Sequence, residues 1–342
     1  MPTATKRPKP ARELLFGDLW EYDPAPESAP AHIAARYRLF IGGKHVAPKS
    51  GRYFDSISPR DGSKLTEIPE AGAADVDAAY AAAAKAFGPW SALPGKERGK
   101  YLFRIARLLQ DRAREFAVAE TLDGGKPIRE SRDFDVPMAA AHFFYHAGWA
   151  DKLQYVAPGR VLAPLGVIGQ VIPWNFPLMM LAWKLAPAMA TGNTVVLKPA
   201  ETTSVTALKF ATLLEEAGLP PGVVNIVTGA AATGAAVVNH PRASKIAFTG
   251  STAVGKSIQH SLAGSGKRLT LELGGKAANI IFEDAPLDQA VEGVINGIFF
   301  NQGHVCCAGS RLLVQEGVAE DVVARLKRRL AVLRVGDPLD KN

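Results

Sequence analysis

Cysteine is nearly absent. The 342 residues contain two, Cys306 and Cys307, and they are neighbours. Adjacent cysteines make a strained bridge, so no disulfide framework is expected, and the chain suits a reducing, cytoplasmic compartment. No spacing of Cys and His suggests a metal site. A long apolar run free of helix breakers is missing too. Residues 161–183 carry no charge, but Pro164, Gly166, Gly169, Pro173, Asn175 and Pro177 interrupt them. A buried strand, a loop and a buried helix are expected there, not a membrane span. Acids are missing from the first twelve residues, MPTATKRPKPAR, whose charged residues are all Lys or Arg. This segment has no apolar stretch of the kind a secretory signal needs, and it reads as a solvated terminus. The net charge of +7 lies partly in that tail. Neither a nucleic acid nor a membrane is expected as a partner.

With 47% hydrophobic and 21% charged residues, the chain has the profile of a globular protein, and its length suggests two domains. Residues 1–36, rich in Pro, Ala and charge, look like an extension. Residues 75–87, 95–120 and 131–152 have helical composition and apolar spacing. From Gly166 onwards short apolar runs alternate with helical stretches: VIGQVI (167–172), a helix over 178–192, TVVLKP (194–199), a helix over 203–218, VVNIVTG, KIAFTG, a helix placed after Gly255, and RLTLELGG. This alternation predicts an α/β fold with βαβ units around a Rossmann-like parallel sheet, with ligands bound at the carboxyl ends of its strands. NIIFED, a helix through Phe300, a strand LLVQ and a charged helix over 320–333 come next. The chain then ends at GDPLDKN, a turn with no evident closing element.

Four stretches carry candidate chemistry. GSTAVGKS (250–257) matches the pattern G-x-x-x-x-G-K-[ST] after a strand and before a helix, which taken alone predicts a P-loop ATPase. The same Gly250-Ser251 turn, with Gly255, equally suits any phosphate at a helix N-terminus, a dinucleotide pyrophosphate included. NQGHVCCAGSR (301–311) places Cys306 in a glycine-flanked loop open enough for a nucleophilic thiol, although a cysteine is more often a small buried hydrophobe. LELGGK (271–276) puts Glu272 at a strand end before Gly274, as a general base near a thiol or simply as a solvated carboxylate. PWNFP (173–177) holds Asn175 between two prolines, as an oxyanion donor or as an ordinary turn residue.

Taken together and in this order, PWNFPL, TVVLKPAETT, FTGSTAVG, LTLELGGK and FNQGHVCCAGSR resemble the aldehyde dehydrogenase superfamily from about Phe40 onwards. The resemblance implies that Cys306 is the nucleophile, Glu272 the base and Asn175 the oxyanion donor. It implies that Lys198 and Glu201 hold the adenosine ribose, that Gly250, Ser251 and Gly255 open the pyrophosphate helix, and that Pro173, Trp174 and Gly274 line the cofactor side. Trp174, Phe176 and Met180 lie where the family lines its cofactor or substrate passage. His304 stands where the family usually has Gln, and Ala253 where it often has Glu. The implied cofactor is NAD, with NADP possible. The implied substrate is a small-molecule aldehyde, and the intact form is a homo-oligomer. The implied layout is an extension (1–36), an NAD(P)-binding domain (37–140 and 160–270), an oligomerisation segment (141–159) and a catalytic domain that the chain leaves incomplete (271–342). Family members are longer, so the chain is expected to be a fragment of an active enzyme or a non-catalytic truncated scaffold. LFGDLWEYDPAPES (15–28) also resembles the segment ahead of the first module in tandem-module, family-16 aldehyde dehydrogenases.

Overall fold

The computed structural model describes residues 23–342. Two antiparallel pairs come first, β1 (Leu39–Ile41) with β2 (Lys44–Val46) and β3 (Tyr53–Ile57) with β4 (Lys64–Pro69). Helices α1 (Ala73–Ala92), α2 (Gly95–Asp111), α3 (Ala113–Gly124) and α4 (Val136–Trp149) come after them. The chain then alternates through β5 (Val167–Val171), α5 (Pro177–Ala190), β6 (Thr194–Lys198), α6 (Val205–Glu216), β7 (Val224–Ile226), α7 (Ala231–Asn239), β8 (Ala243–Gly250), α8 (Thr252–Ser261) and β9 (Arg268–Leu273). A final unit comprises β10 (Ala278–Ile281), α9 (Leu287–Phe299), β11 (Arg311–Val314) and α10 (Ala319–Leu330).

The predicted α/β class and parallel sheet are present. Strands β5 to β9 are mutually parallel in the order β7-β6-β5-β8-β9, and β1 and β2 extend this sheet antiparallel beyond β7. The apolar runs of β5 and β6 are continuous because both of their faces are covered. On one face α2 to α6 pack into a core that includes Leu102, Phe143, Leu181, Leu185 and Phe210. On the other, α1, α7 and α8 contribute Val76, Tyr80, Val237 and Ile258. The chain order reverses between β5 and β8, which opens a crevice at their carboxyl ends.

Several predicted boundaries move. The helix expected over 95–120 breaks at Arg112 into α2 and α3, and the one expected over 131–152 begins with a π-helical turn, Ser131–Asp135. The boundary between 140 and 141 cuts α4. The Phe143 and Ala147 side chains of that helix are buried in the main core, so α4 belongs to the body of the domain along its length. The boundary between 270 and 271 cuts β9, so Glu272 belongs to the main sheet. The β10–α9–β11 unit forms a parallel pair over a small core of its own, Ile281, Val294 and Val322.

Both chain ends depart from expectation. The basic first twelve residues and most of the 15–28 stretch lie outside the described residues. Residues 23–36, read as an extension, pack on the body, with Glu27 buried and bridged to Arg114 at 2.7 Å. The final turn pairs with them and with Ile128. Glu27 N donates to Leu339 O (2.8 Å), Lys341 N to Ala25 O (3.0 Å) and Ile128 N to Pro338 O (2.7 Å). Backbone pairing between opposite ends of the chain leaves no local signal in sequence, so a reading of GDPLDKN alone finds only a turn.

Candidate active site

A cleft of about 1100 Å³ opens at the reversal point between β5 and β8. It gathers most of the predicted site. Pro173, Trp174 and Asn175 enter from the end of β5, and Lys198 and Glu201 from the end of β6. Gly250 and Ser251 enter from β8, Gly274 from beyond β9, and Cys306 from the loop before β11. Two predicted residues are not on its lining, Glu272 and Gly255.

The loop that carries Cys306 is built on strained backbone. Asn301 and Gln302 come after α9 with φ of 51° and 58°, left-handed values that asparagine tolerates better than most residues. Asn301 is buried, and its Nδ2 donates to Asn175 O (2.7 Å) and to His304 O (3.2 Å). Asn175 Nδ2 donates to the same His304 carbonyl at 2.8 Å. The His304 ring lies edge-on to Trp174, centroids 4.7 Å apart. The loop that carries Cys306 is therefore bound to the turn that carries Asn175. A primary amide has two N–H donors. One of those on Asn175 is engaged by His304, which leaves the other for a developing negative charge. Cys306 is exposed, and partial desolvation together with the neighbouring Cys307 pushes its thiol above the ordinary cysteine range.

On the cofactor side, Lys198 is buried and its ammonium donates to Glu201 at 3.1 Å. Partial burial works against the Glu201 charge, but its own backbone N–H and Lys198 hold the carboxyl below its ordinary value. An anionic acceptor of hydroxyl groups thus stands at the cleft rim. Ser251 caps α8, its Oγ accepting from Val254 N at 3.3 Å. The first-turn amides and the dipole of α8 face the cleft as an anion site.

The P-loop reading does not survive this geometry. A P-loop wraps phosphate with the residues between its glycines and puts Lys and Ser at the helix entrance. Here α8 starts at Thr252, ahead of the expected position after Gly255, and Gly255 N already donates to Ser251 O at 2.9 Å as the first helical bond. Lys256 is exposed one turn inside the helix. Gly255 itself is a packing residue: a Cβ there would lie 2.5 Å from Leu273 Cδ2, so its absence lets α8 sit on β9.

Glu272 lies near the end of β9 beside Thr249 of β8, and is exposed. It acts on Lys184 of α5, whose ammonium is pushed down to about 8 chiefly by burial, with Glu272 working in the opposite direction. Sequence reasoning missed Asn301. The only signal is an asparagine ahead of Gln and Gly, a combination suited to left-handed turns. Among the described residues no group of three or more His, Cys, Asp or Glu could hold a metal ion, and no helix is long and apolar enough to cross a membrane.

The profile of the aldehyde dehydrogenase family matches residues 45–342. An aldehyde dehydrogenase of Alternaria alternata is 47% identical over 315 residues, covering 88% of this chain and 63% of its own length. Human retinal dehydrogenase 2 is 46% identical over 316 residues, covering 89% and 61%. Among solved structures, the NAD+ complex of an aldehyde dehydrogenase from Bacillus cereus superposes with a TM-score of 0.88 at 40% identity, over 92% of this chain and 67% of that one. The chain thus spans somewhat less than two thirds of the length of the curated relatives it matches.

Proposed function

The chain belongs to the aldehyde dehydrogenase family, and from that premise we propose that it carries the cofactor site and the nucleophile of an enzyme that oxidises a small aldehyde to a carboxylic acid with NAD. The observation that supports this most is the joining of two distant motifs in one cleft. The Asn175 turn and the Cys306 loop share the His304 carbonyl, 129 positions along the chain from Asn175, beside the capped start of α8. The residues fit a dinucleotide. Gly250 and Ser251 open a helix N-terminus for a pyrophosphate, and Glu201 offers a carboxylate to ribose hydroxyls while repelling a 2′-phosphate, which favours NAD over NADP.

The bound dinucleotide supplies the two-electron acceptor. The protein does the rest. The Cys306 thiolate adds to the carbonyl carbon, forming the C–S bond as the oxygen gains negative charge. The free N–H of Asn175 and the backbone N–H of Cys306 receive that charge. A preorganised donor of this kind is worth roughly 3–4 kcal/mol in the transition state. Once the adduct has given up two electrons to that acceptor it is a thioester, and Glu272 activates the water that hydrolyses it. A homo-oligomer belongs to the same proposal: Tyr155, Val156 and Val161 stand exposed beyond α4.

Two measurements on the full chain test this. NAD should quench the fluorescence of Trp174 and raise the unfolding temperature, while Mg-ATP should do no better than AMP. p-Nitrophenyl acetate should acetylate Cys306, located by mass spectrometry, and Cys306→Ala should abolish the nitrophenolate burst while Cys307→Ala retains it. Preferential, magnesium-dependent ATP binding, or a burst that persists in Cys306→Ala, would overturn the assignment.

A further inference from the structure

Behind the cleft lies a charged cluster that the mechanism above does not use. Lys126 comes after α3 in the turn DGGKP, and its side chain is 3% exposed. Its ammonium is in ion-pair contact with Asp135 and stands 3.8 Å from Glu120 Oε1; both carboxylates are completely buried. Two carboxylates against one ammonium, out of water, cannot all be charged at modest cost. Burial pushes the Glu120 and Asp135 carboxyls upward, with Lys126 opposing. A cluster so costly is informative through what it touches.

It touches the turn at Asn175 and at the residues that follow it. Lys126 Nζ donates to Asn175 O at 3.2 Å and sits 4.3 Å above the Phe176 ring, and Glu120 Oε2 accepts from Leu178 N at 3.2 Å. The same stretch of chain grips the nucleophile loop. Asn301 N donates to Glu130 Oε2 (2.7 Å), and Gln302 Nε2 to Gly125 O (2.6 Å). Residues 120–135 therefore hold both the turn that presents the Asn175 amide and the loop that presents the Cys306 thiol. They brace from behind what the His304 carbonyl and the Asn301 amide join directly.

We propose that Lys126, held by Asp135 and Glu120, is a positioning residue that sets the placement of the Asn175 amide relative to Cys306. It acts through the Asn175 carbonyl and touches no reacting atom. This rests on the reading of Cys306 as nucleophile and Asn175 as oxyanion donor. A misplacement of about 1 Å in such a constellation costs up to roughly 100-fold.

The test is a double-mutant cycle on the full chain in a Cys307→Ser background, reading the acetylation rate of Cys306 by p-nitrophenyl acetate, which forms an oxyanion, against its alkylation by iodoacetamide, which does not. Because Lys126→Met strands two carboxylates, the charge-reduced Lys126→Met/Asp135→Asn variant is measured beside it. Either variant should slow acetylation about 10- to 100-fold, leave alkylation unchanged, and add nothing once Asn175 is Ala. A loss that persists in the Asn175→Ala background, or a parallel loss of alkylation in both variants, overturns the positioning role. If Asn175→Ala alone leaves acetylation intact, or the parent chain is not acetylated at Cys306, it is the functional reading that fails, and the inference with it.

Discussion

Gly255 offers a quantitative link between packing and cofactor binding. A Cβ at this position would meet Leu273 Cδ2 at 2.5 Å, Cδ1 at 3.1 Å and Cγ at 3.4 Å. Carbon atoms in good contact lie about 3.5–4.0 Å apart, so Gly255→Ala forces α8 off β9 by about 1 Å or drives the whole Leu273 isopropyl group aside. Overpacking of this kind costs typically about 1–3 kcal/mol. The displaced part of α8 is its first turn, whose N-cap Ser251 lies in the cleft. The strain should therefore appear in cofactor affinity: about a tenfold weaker NAD Kd, which corresponds to roughly 1.4 kcal/mol. Titration of Trp174 fluorescence with NAD measures it. Leu273 also lines the cleft, so Leu273→Ala is measured alone as the reference; because it removes the three atoms that the added Cβ would meet, it should restore binding in the Gly255→Ala chain to that reference. The reasoning is refuted if Gly255→Ala binds NAD like the parent, or if Leu273→Ala fails to rescue it.

Three further outcomes are set by the electrostatics. Because burial and Cys307 raise the Cys306 thiol, its alkylation rate should keep climbing tenfold per pH unit up to and beyond the ordinary cysteine range, and Cys307→Ser should lower the midpoint; a plateau near neutrality contradicts this. Burial opposes the Glu27 charge, but Arg114 and the Ser28 and Ala29 amides hold the carboxyl at about 2 against an ordinary 4.5. The folded value is depressed, so the stabilisation is present above about 4.5 and lost as pH falls through about 2; thermal melts between those values should show a slope that Glu27→Gln flattens. Replacing Glu201 with Ala removes the rim carboxylate, so binding of NAD should weaken and that of NADP strengthen, read as the ratio of the two dissociation constants; an unchanged ratio removes Glu201 from the ribose site.

The central sheet was legible because parallel strands covered on both faces need largely apolar runs, and VIGQV and TVVLK are such runs, with Gln170, Thr194 and Lys198 their polar members. The cleft was legible as far as the carboxyl ends of those strands; the reversal of strand order between β5 and β8 that opens it is not written in the runs themselves. The features that stayed hidden depend on pairings without local pattern. Glu27 and Leu339 meet through backbone alone, and α4 crosses the expected domain limit because it packs along α2 and α5 and stacks Phe143 on Phe210 of α6. Lys126 reads in sequence as a turn lysine, solvated by default. Its burial is decided by Glu120 and Asp135, which tertiary packing brings to it.

The eight letters GSTAVGKS show how far a motif reaches without its backbone. A P-loop and a dinucleotide helix both want a small residue, a hydroxyl and a second glycine after a strand, and they differ in where the helix begins. In this chain the Ser251 hydroxyl takes the Val254 amide, and that single capping bond starts the helix at Thr252, ahead of the second glycine. Once the turn is helical, Gly255 cannot belong to a phosphate loop, and its missing side chain serves the approach of α8 to Leu273 instead. The N-cap, worth about 1 kcal/mol, and the packing of Gly255 on Leu273 act together on this turn. Ser251→Ala should accordingly leave an unfrayed α8 only if packing on β9 compensates. Amide hydrogen exchange across residues 252–256 measures this, and faster exchange confined to that turn, with NAD binding weakened in step, is the result the capping role requires.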